Sequence, residues 1–495
     1  MDSWQKKVLF LILAGVLLYF PIFLRLDTLP FRVWDESRPA VQAYEMARTH
    51  NYLTTTYEYT PDMWFTKPPL LIWCQVFFIR LFGYGELAVR LPSALAALGS
   101  CIVVGLFMYR QTRSAWWGLI AALVLCTTAG YMGIHGARTG DADVLLSFFL
   151  TLSAFALFVY TGNTARKKYL YLFFAGLAAA VLTKGVAGLF LLPGFVIYGL
   201  AGGAAVKTLK SPHFYLGLFA FLAVPALFYV LREWENPGYL QAVWDNELLG
   251  RYGTTIEGHR QDRLYYLRRI NDNNFLPWVC LFPVGLLVGF AGTDEKIKKI
   301  LKFCLLLIAQ YLLLISCSAT KTYWYDIPLF PFWAVFIATG IYAVFRILAE
   351  NTDSSRYRGY NVWPYLFLFM VFCEPYRQML DKAGKAEEYE SFYALSHYLR
   401  GASEGRRPDL DGVLIANDAY YGHLLPYYYI LADRGQHVRF IHAPEAKPGD
   451  LVLVHELPVK QQMDSLFTCD VLDTFQGVTY CRVRSRKEQP AYPAP

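Results

Sequence analysis

KKVLFLILAGVLLYFPIFLRL, residues 6–26, decides the class of this chain. Two lysines precede an apolar run that carries no charge until Arg25, and about 20 such residues suffice to cross roughly 30 Å of hydrocarbon. The run is long and has no small-residue cleavage pattern behind it, so it reads as an uncleaved anchor rather than a signal peptide. Comparable runs recur outward from it. Of 495 residues, 55% are hydrophobic and 17% charged, with a mean hydropathy of +0.29, which excludes an ordinary soluble globule. Eleven spans are predicted, at about 8–26, 87–109, 115–133, 142–160, 169–183, 186–203, 213–231, 274–292, 301–318, 326–348 and 360–373.

Lys and Arg mark alternate connections: Lys6 and Lys7; Arg110 and Arg113; Arg166, Lys167 and Lys168; Lys207 and Lys210; Lys296, Lys298, Lys299 and Lys302; Arg346, Arg356 and Arg358. The positive-inside rule makes these cytoplasmic, which sets the N-terminus inside and the C-terminal region outside. They also account for the formal charge of +7 without nucleic acid, since no soluble stretch carries a basic patch with interleaved aromatics. Two long outer loops follow from this topology, 27–86 and 232–273. Within the first, KPPLLIWCQVFFIRLFG is short and interrupted by Arg80, and it reads as a helix lying at the interface.

Residues 1–374 therefore form a transmembrane unit, and 375–495 have the composition of a soluble α/β domain. GVLIAND, HVRFIH and DLVLVHE read as buried strands, GVTYCRVRSR as an edge or terminal strand, and EEYESFYALSHYLRG and AYYGHLLPYYYILAD as helices. The tail EQPAYPAP is expected to be disordered. Seven of nine cysteines lie in or beside spans, whereas Cys469 and Cys481 lie in the outer domain, where a disulfide would suit an oxidising periplasm. No CxxC or metal-finger spacing occurs, and no metal ligand is assigned.

Once topology is fixed by the basic loops, the unusual charged residues near span ends all fall on the outer side. They are Asp35 and Glu36, Lys67, Arg138, Asp141 and Asp143, Lys184, Arg251 and His259, and Lys321. Ionisable groups beside hydrocarbon cost free energy unless they are paired or serve a water-filled cavity. Acids and several cations around one cavity suit a phosphorylated substrate. Taken singly, Asp35 and Asp141 also fit helix caps, the lysines fit snorkelling, and His259 fits an ordinary surface histidine. Neighbours on a helix point about 100° apart, so Asp35 and Glu36 cannot both aim at one atom. Asp35 is expected to be the catalytic base with Glu36 in support, and Asp143 to face the cavity with Asp141 as the cap.

WDE, TKPPLL, AVRLPSAL, RTGDADVLL, LTKGVAGL and KTYWYDIPLFP, in this order over roughly residues 1–350, resemble the GT-C class of membrane glycosyltransferases. More closely, they are similar to bacterial members of the protein O-mannosyltransferase and aminoarabinose transferase family. The resemblance implies a GT-C fold in a bacterial inner membrane, with a periplasmic C-terminal domain. It implies a polyprenyl-phosphate-sugar donor and inverting transfer to a lipid, glycan or protein acceptor. Fixed cations suffice for a polyprenyl monophosphate, so no cofactor is expected to be required, and the residues leave a divalent metal open. Asp35 would match the essential loop acid, Lys67 and Arg251 the contacts to the donor phosphate, and Asp143 a second acid. Thr66 departs from the aminoarabinose transferases, which carry an acid there. Lys184, Lys321 and Arg138 join the phosphate set because fixed cations stabilise charge that builds on a departing phosphate. The rival readings are a transporter or flippase for lipid-linked glycans, and a membrane scaffold presenting the outer domain.

Overall fold

The computed structural model describes residues 3–253, 259–269, 275–351, 361–385, 390–418 and 420–487. Helices occur at all eleven predicted positions, and among the described residues seven are long and apolar enough to cross a membrane: Trp4–Phe23, Glu86–Thr112, Ala142–Gly162, Lys167–Leu189, Pro212–Glu235, Glu295–Cys317 and Ile327–Glu350. Ala115–Cys126, Leu192–Ala201 and Leu281–Ala291 are apolar but shorter. The span expected over 360–373 runs on as Trp363–Lys382, so the composition change near residue 375 falls inside a helix whose second half carries Glu374, Arg377 and Asp381. The tail 488–495 lies outside the described residues.

Local chemistry sets several boundaries. Ser114 and Asp294 cap the helices that follow them by accepting from Trp117 N and from Lys296 N and Ile297 N. Helix approach depends on glycine where backbones nearly touch: a Cβ at Gly285 would lie 1.9 Å from Phe336 O, and one at Gly118 2.5 Å from Gly105 O. Small residues at such crossings permit the close packing by which helices associate in lipid.

The helix predicted at the interface is Leu70–Phe82, 13 residues and too short to span. It buries Leu71, Ile72, Gln75, Val76 and Ile79 and leaves Phe77, Leu81 and Phe82 exposed, a two-sided pattern suited to a bilayer surface. Ahead of it, Ser37–Thr49 is buried over most of its length.

The C-terminal region holds a five-stranded sheet of order β4-β3-β5-β7-β6, made of β3 Leu414–Ala416, β4 Arg439–Ile441, β5 Leu451–Val454, β6 Phe467–Phe475 and β7 Val478–Arg486. A two-stranded ribbon, β1 Thr56–Tyr57 and β2 Thr60–Pro61, lies in the first outer loop. β3 pairs in parallel with β4 and β5, and β7 runs antiparallel between β5 and β6. The GVTYCRVRSR strand is thus internal. Its expected edge position is taken by FTCDVLDTF, a strand the sequence reading missed, whose mixed burial suits an edge. Cys469 and Cys481, on these two neighbouring strands, are free thiols.

The sheet domain shares one apolar core with the first outer loop: Phe31, Ala40, Ala43, Ile72 and Val76 pack in the same cluster as Leu395, Tyr398, Leu424 and Tyr427. Polar links reinforce it, since Tyr427 Oη donates to Glu86 Oε1 (2.6 Å) and accepts from Phe31 N (3.0 Å), and Tyr429 Oη donates to Glu45 Oε1 (2.6 Å).

At the centre of this junction lies a buried ion pair. Arg90 Nε and Nη2 donate to Glu36 Oε1 and Oε2 at 2.7 and 2.9 Å, and the remaining guanidinium hydrogens reach the carbonyls of Leu26, Leu29 and Pro30. Glu36 also accepts from Arg32 N and Gly140 N, both at 2.8 Å. Removing one partner of such a pair leaves a buried charge uncompensated, which costs about 3–5 kcal/mol. Glu36→Ala and Arg90→Ala are therefore expected to lower the unfolding temperature in detergent markedly, whereas Asp35→Asn leaves it near wild type. Equal melting of all three variants would refute a structural role for the pair.

Candidate active site

The Ala142–Gly162 and Lys167–Lys184 helices form an antiparallel hairpin, so the start of one meets the end of the other. Asp143 in the first turn and Lys184 in the last turn meet as a buried pair, with Nζ 2.5 and 2.6 Å from the two carboxylate oxygens. Each charge also sits at the helix end that its sign favours. Lys184 Nζ faces the Tyr325 ring at 5.1 Å.

Beside this pair opens a cavity of about 370 Å³. Its charged and polar walls include Asp35, Lys67, His135, Lys184, Glu247 and His259. Trp34, Trp64, Phe65, Trp324 and Tyr325 supply aromatic surface. Lys184, Glu247 and Tyr325 also line a smaller recess of about 40 Å³ whose other walls are largely apolar, among them Leu146, Val186, Phe190 and Ile315. A polar chamber thus adjoins an apolar slot.

Asp35 is held at the chamber wall. The N-cap position of the following helix belongs to Glu36, whose side chain makes no capping bond, and the Asp35 carboxylate faces Lys67 Nζ at 3.3 Å and His135 Nδ1 at 3.6 Å. The Asp35 side chain is 23% exposed, against 2% for Asp141 and Asp143, so it is the acid that a solute in the chamber meets. Glu36 points away from the chamber. Burial pushes its carboxyl up, but Arg90 and two backbone N–H donors outweigh that and hold it below the usual range.

Asp141 and His135 were read incompletely from the sequence. Asp141 caps its helix, with Oδ1 accepting from Ala142 N, and Oδ2 also lies 2.6 Å from His135 Nδ1. One carboxylate thus serves both as cap and as site group. The His135 ring stacks on Trp324 with centroids 3.7 Å apart, which fixes its plane. Sequence reasoning passed over His135. The available signal was a histidine between Gly133 and Gly136, in the loop that leads into RTGDAD. One carboxylate oxygen each from Asp35 and Asp141 and a ring nitrogen of His135 lie within 4.8 Å of one another, a donor set that fits a divalent cation.

Two of the other expected phosphate ligands, Arg138 and Lys321, are placed elsewhere. Arg138 lies outside the chamber and donates to the carbonyls of Pro21, Ile22, Leu24 and Arg25, where it clamps the end of the first span. The Lys321 ammonium is held by the carbonyls of Ser318 and Gln261, and its neighbours Thr320 and Thr322 line the chamber instead. His259 lines the chamber, and its carbonyl accepts from Lys321 N. The side chain of Arg251 lies outside the described residues.

Residues 66–229 match the dolichyl-phosphate-mannose-protein mannosyltransferase family. The chain superposes on ArnT from Cupriavidus metallidurans, solved bound to undecaprenyl phosphate, with a TM-score of 0.66, covering 97% of this chain and 98% of that one at 17% identity. The chain thus shares the fold of ArnT, and in sequence it is similar to aminoarabinose transferases and to the protein mannosyltransferase family. An uncharacterized protein of Aquifex aeolicus is 27% identical over 338 residues, 68% of this chain and 64% of that protein. The undecaprenyl phosphate-alpha-4-amino-4-deoxy-L-arabinose arabinosyl transferase of Shewanella sediminis is 25% identical over 347 residues, 68% of this chain and 61% of that enzyme. The chain thus spans less than two thirds of the length of these relatives. The stretch matched to the mannosyltransferase family contains Lys67, Arg90, His135, Asp141, Asp143 and Lys184; Asp35 lies upstream of it.

Burial, then repulsion from Asp35, push the Asp141 carboxyl up from 3.8 to about 6, against the pull of His135. For His135, burial lowers the pKa, but Asp141 and Asp35 outweigh it and raise the imidazole above 6.5. Both groups hold protons in the native state that the unfolded chain has released, so both stabilise less as pH rises. The Asp141 contribution is complete below about pH 4 and lost on the way to about 6; that of His135 is complete below 6.5 and lost above it. Relative to Asp141→Asn, the unfolding temperature of the wild type is expected to fall as pH rises from about 4 through neutrality. A pH-independent difference in thermal melts would show that neither group is coupled as described.

Proposed function

We propose that the chain is an inverting glycosyltransferase, moving a sugar from a polyprenyl-phosphate donor to a lipid, glycan or protein acceptor at the outer face of a bacterial inner membrane. The observation that carries this reading is the accessible Asp35 carboxylate, set beside Lys67 in a chamber that adjoins the apolar slot past Lys184. The chamber suits a sugar phosphate and the slot suits the start of a lipid tail. The resemblance to an arabinosyl transferase and to ArnT bound to undecaprenyl phosphate supports the same donor class.

In this mechanism Asp35 removes the proton from the acceptor hydroxyl or amine. The acceptor atom bonds to the anomeric carbon from the face opposite the phosphate, and the C–O bond to phosphate breaks, with its electron pair leaving on the phosphate oxygen. Lys67 meets that growing charge. Lys184 is held in place by Asp143, so its charge is fixed before the reaction starts, and such prearranged charge favours the transition state over the ground state. Asp141 orients His135, which in turn lies beside Asp35. Trp34, Trp64 and Trp324 offer faces for the sugar. Asp35, His135 and Asp141 would hold a divalent cation if one binds; it would add charge stabilisation for the phosphate.

Asp35→Asn is expected to lower turnover of a labelled polyprenyl-phosphate sugar by about 10²–10⁴-fold with donor binding kept, as for removal of a positioned base. Turnover at the wild-type rate would move the base elsewhere. Because Lys67 and Lys184 already place positive charge at the phosphate, turnover is expected to persist in excess chelator. Loss on chelation, restored by added manganese or magnesium, would instead assign a required ion to the Asp35–His135–Asp141 cluster.

A further inference from the structure

A second cavity, of about 160 Å³, shares no lining residue with the chamber. It lies where the end of the first span, the 129–139 segment and the end of the Trp363–Lys382 helix converge. Its charged lining is one-sided: Arg25, Arg32, Arg90, Arg138, Lys382 and Lys385, with no carboxylate among the described residues. Leu26, Leu29, Met132 and Met379 complete an apolar side.

Among the described residues, only part of that positive charge is neutralised. Arg90 is paired with Glu36. Arg138 rests on backbone carbonyls, which satisfy its hydrogens but supply no net negative charge, and burial followed by the like charge of Arg90 pushes it down to about 10. Arg32 is 6% exposed. Its Nη1 donates to Glu390 at 2.9 Å and its guanidinium lies 4.4 Å over the Tyr393 ring, while Nη2 is buried with no acceptor among the described residues. A buried guanidinium nitrogen without an acceptor is costly, and an anionic oxygen in the cavity would satisfy it. At the rim, Arg25, Lys382 and Lys385 are exposed, where they meet a charged ligand before it is desolvated.

We infer that this cavity binds the phosphate headgroup of an anionic membrane lipid, with the acyl chains leaving along the apolar side. A lipid fits better than a soluble phosphate because the helix that forms one wall presents Tyr365, Phe369 and Met370 outward, 49–65% exposed, which is a surface for hydrocarbon. The phosphate takes Arg32 Nη2 and the rim lysines, and the glycerol and chains lie against Met379 and Leu29. This assignment stands apart from the reaction proposed above and uses none of its residues.

The test uses the full chain in neutral detergent, titrated with dioctanoyl phosphatidic acid, with the matching phosphatidylcholine, and with inorganic phosphate, and read by native mass spectrometry. Phosphatidic acid is expected to bind about tenfold or more tightly than phosphatidylcholine, as one charge-assisted hydrogen bond suffices to produce. Lys382→Gln with Lys385→Gln, both at exposed positions, and separately the conservative Arg32→Lys, are expected to weaken phosphatidic acid by about tenfold each while the melting temperature stays near wild type. Equal affinity for the two lipids would overturn the proposal, as would undiminished binding in both variants. Inorganic phosphate binding as tightly as the lipid would replace the lipid headgroup with a free anion and so overturn the lipid assignment.

Discussion

The architecture depends on the contact between Glu36 and Arg90. Both are almost fully buried, and a buried ion pair is a poor source of stability compared with apolar packing of the same volume. What this pair supplies is position. Arg90 donates to three carbonyls of the loop that leaves the first span, and Glu36 takes an N–H from that loop and another from Gly140. Two of the segments it joins carry a site acid at the adjacent residue, Asp35 beside Glu36 and Asp141 beside Gly140. Fixing one ion pair thereby fixes the two carboxylates on either side of His135.

Strain accompanies this placement. Trp34 and His135 both hold positive φ, 65° and 59°, a conformation that costs non-glycine residues of order 1 kcal/mol or more. Each is held there by stacking, Trp34 on Tyr420 of the sheet domain at 4.1 Å and His135 on Trp324 at 3.7 Å. The strained backbone turns the Asp35 side chain toward Lys67, out of the helix that follows. The chamber, the Asp143–Lys184 pair and the cation-lined cavity all lie around this knot, at the end of the bundle nearest the sheet.

The helical membrane architecture was legible because apolar runs and basic loops are properties of local sequence. The joint placement of Asp35, Lys67, Asp143 and Lys184 was legible too, since each lies in an outer loop or at the outer end of a span, and topology alone brings these to one side. What local sequence does not carry is direction. Arg138 and Lys184 look alike in that respect, but one turns to carbonyls of the first span and the other to Asp143. Asp141 was read as a cap, which it is, but a carboxylate has two oxygens, and the second was free to join His135. Arg90 stood in a recognised motif, AVRLPSAL, yet its role depends on a partner 54 residues away. β6 was missed because its pattern FTCDVLDTF mixes polar and apolar residues, as an edge strand does, and no buried face announces it.

The sheet domain is tied into the site scaffold through its side chains. Tyr427 alone joins three parts: its hydroxyl accepts from the N–H of Phe31, five residues before Glu36, and donates a hydrogen bond to Glu86, one turn before Arg90. Arg32, between Phe31 and the site, donates to Glu390 at the entrance to the domain. With Phe31, Ile72 and Tyr427 in one apolar core, the loop carrying Asp35 gains its order from both sides. A fluctuation that loosened the sheet domain from the bundle would therefore release the loop that aims Asp35 together with the Glu86 end of the helix that carries Arg90. The accuracy of the site is set as much by the packing of tyrosines at this junction as by the spans beneath it.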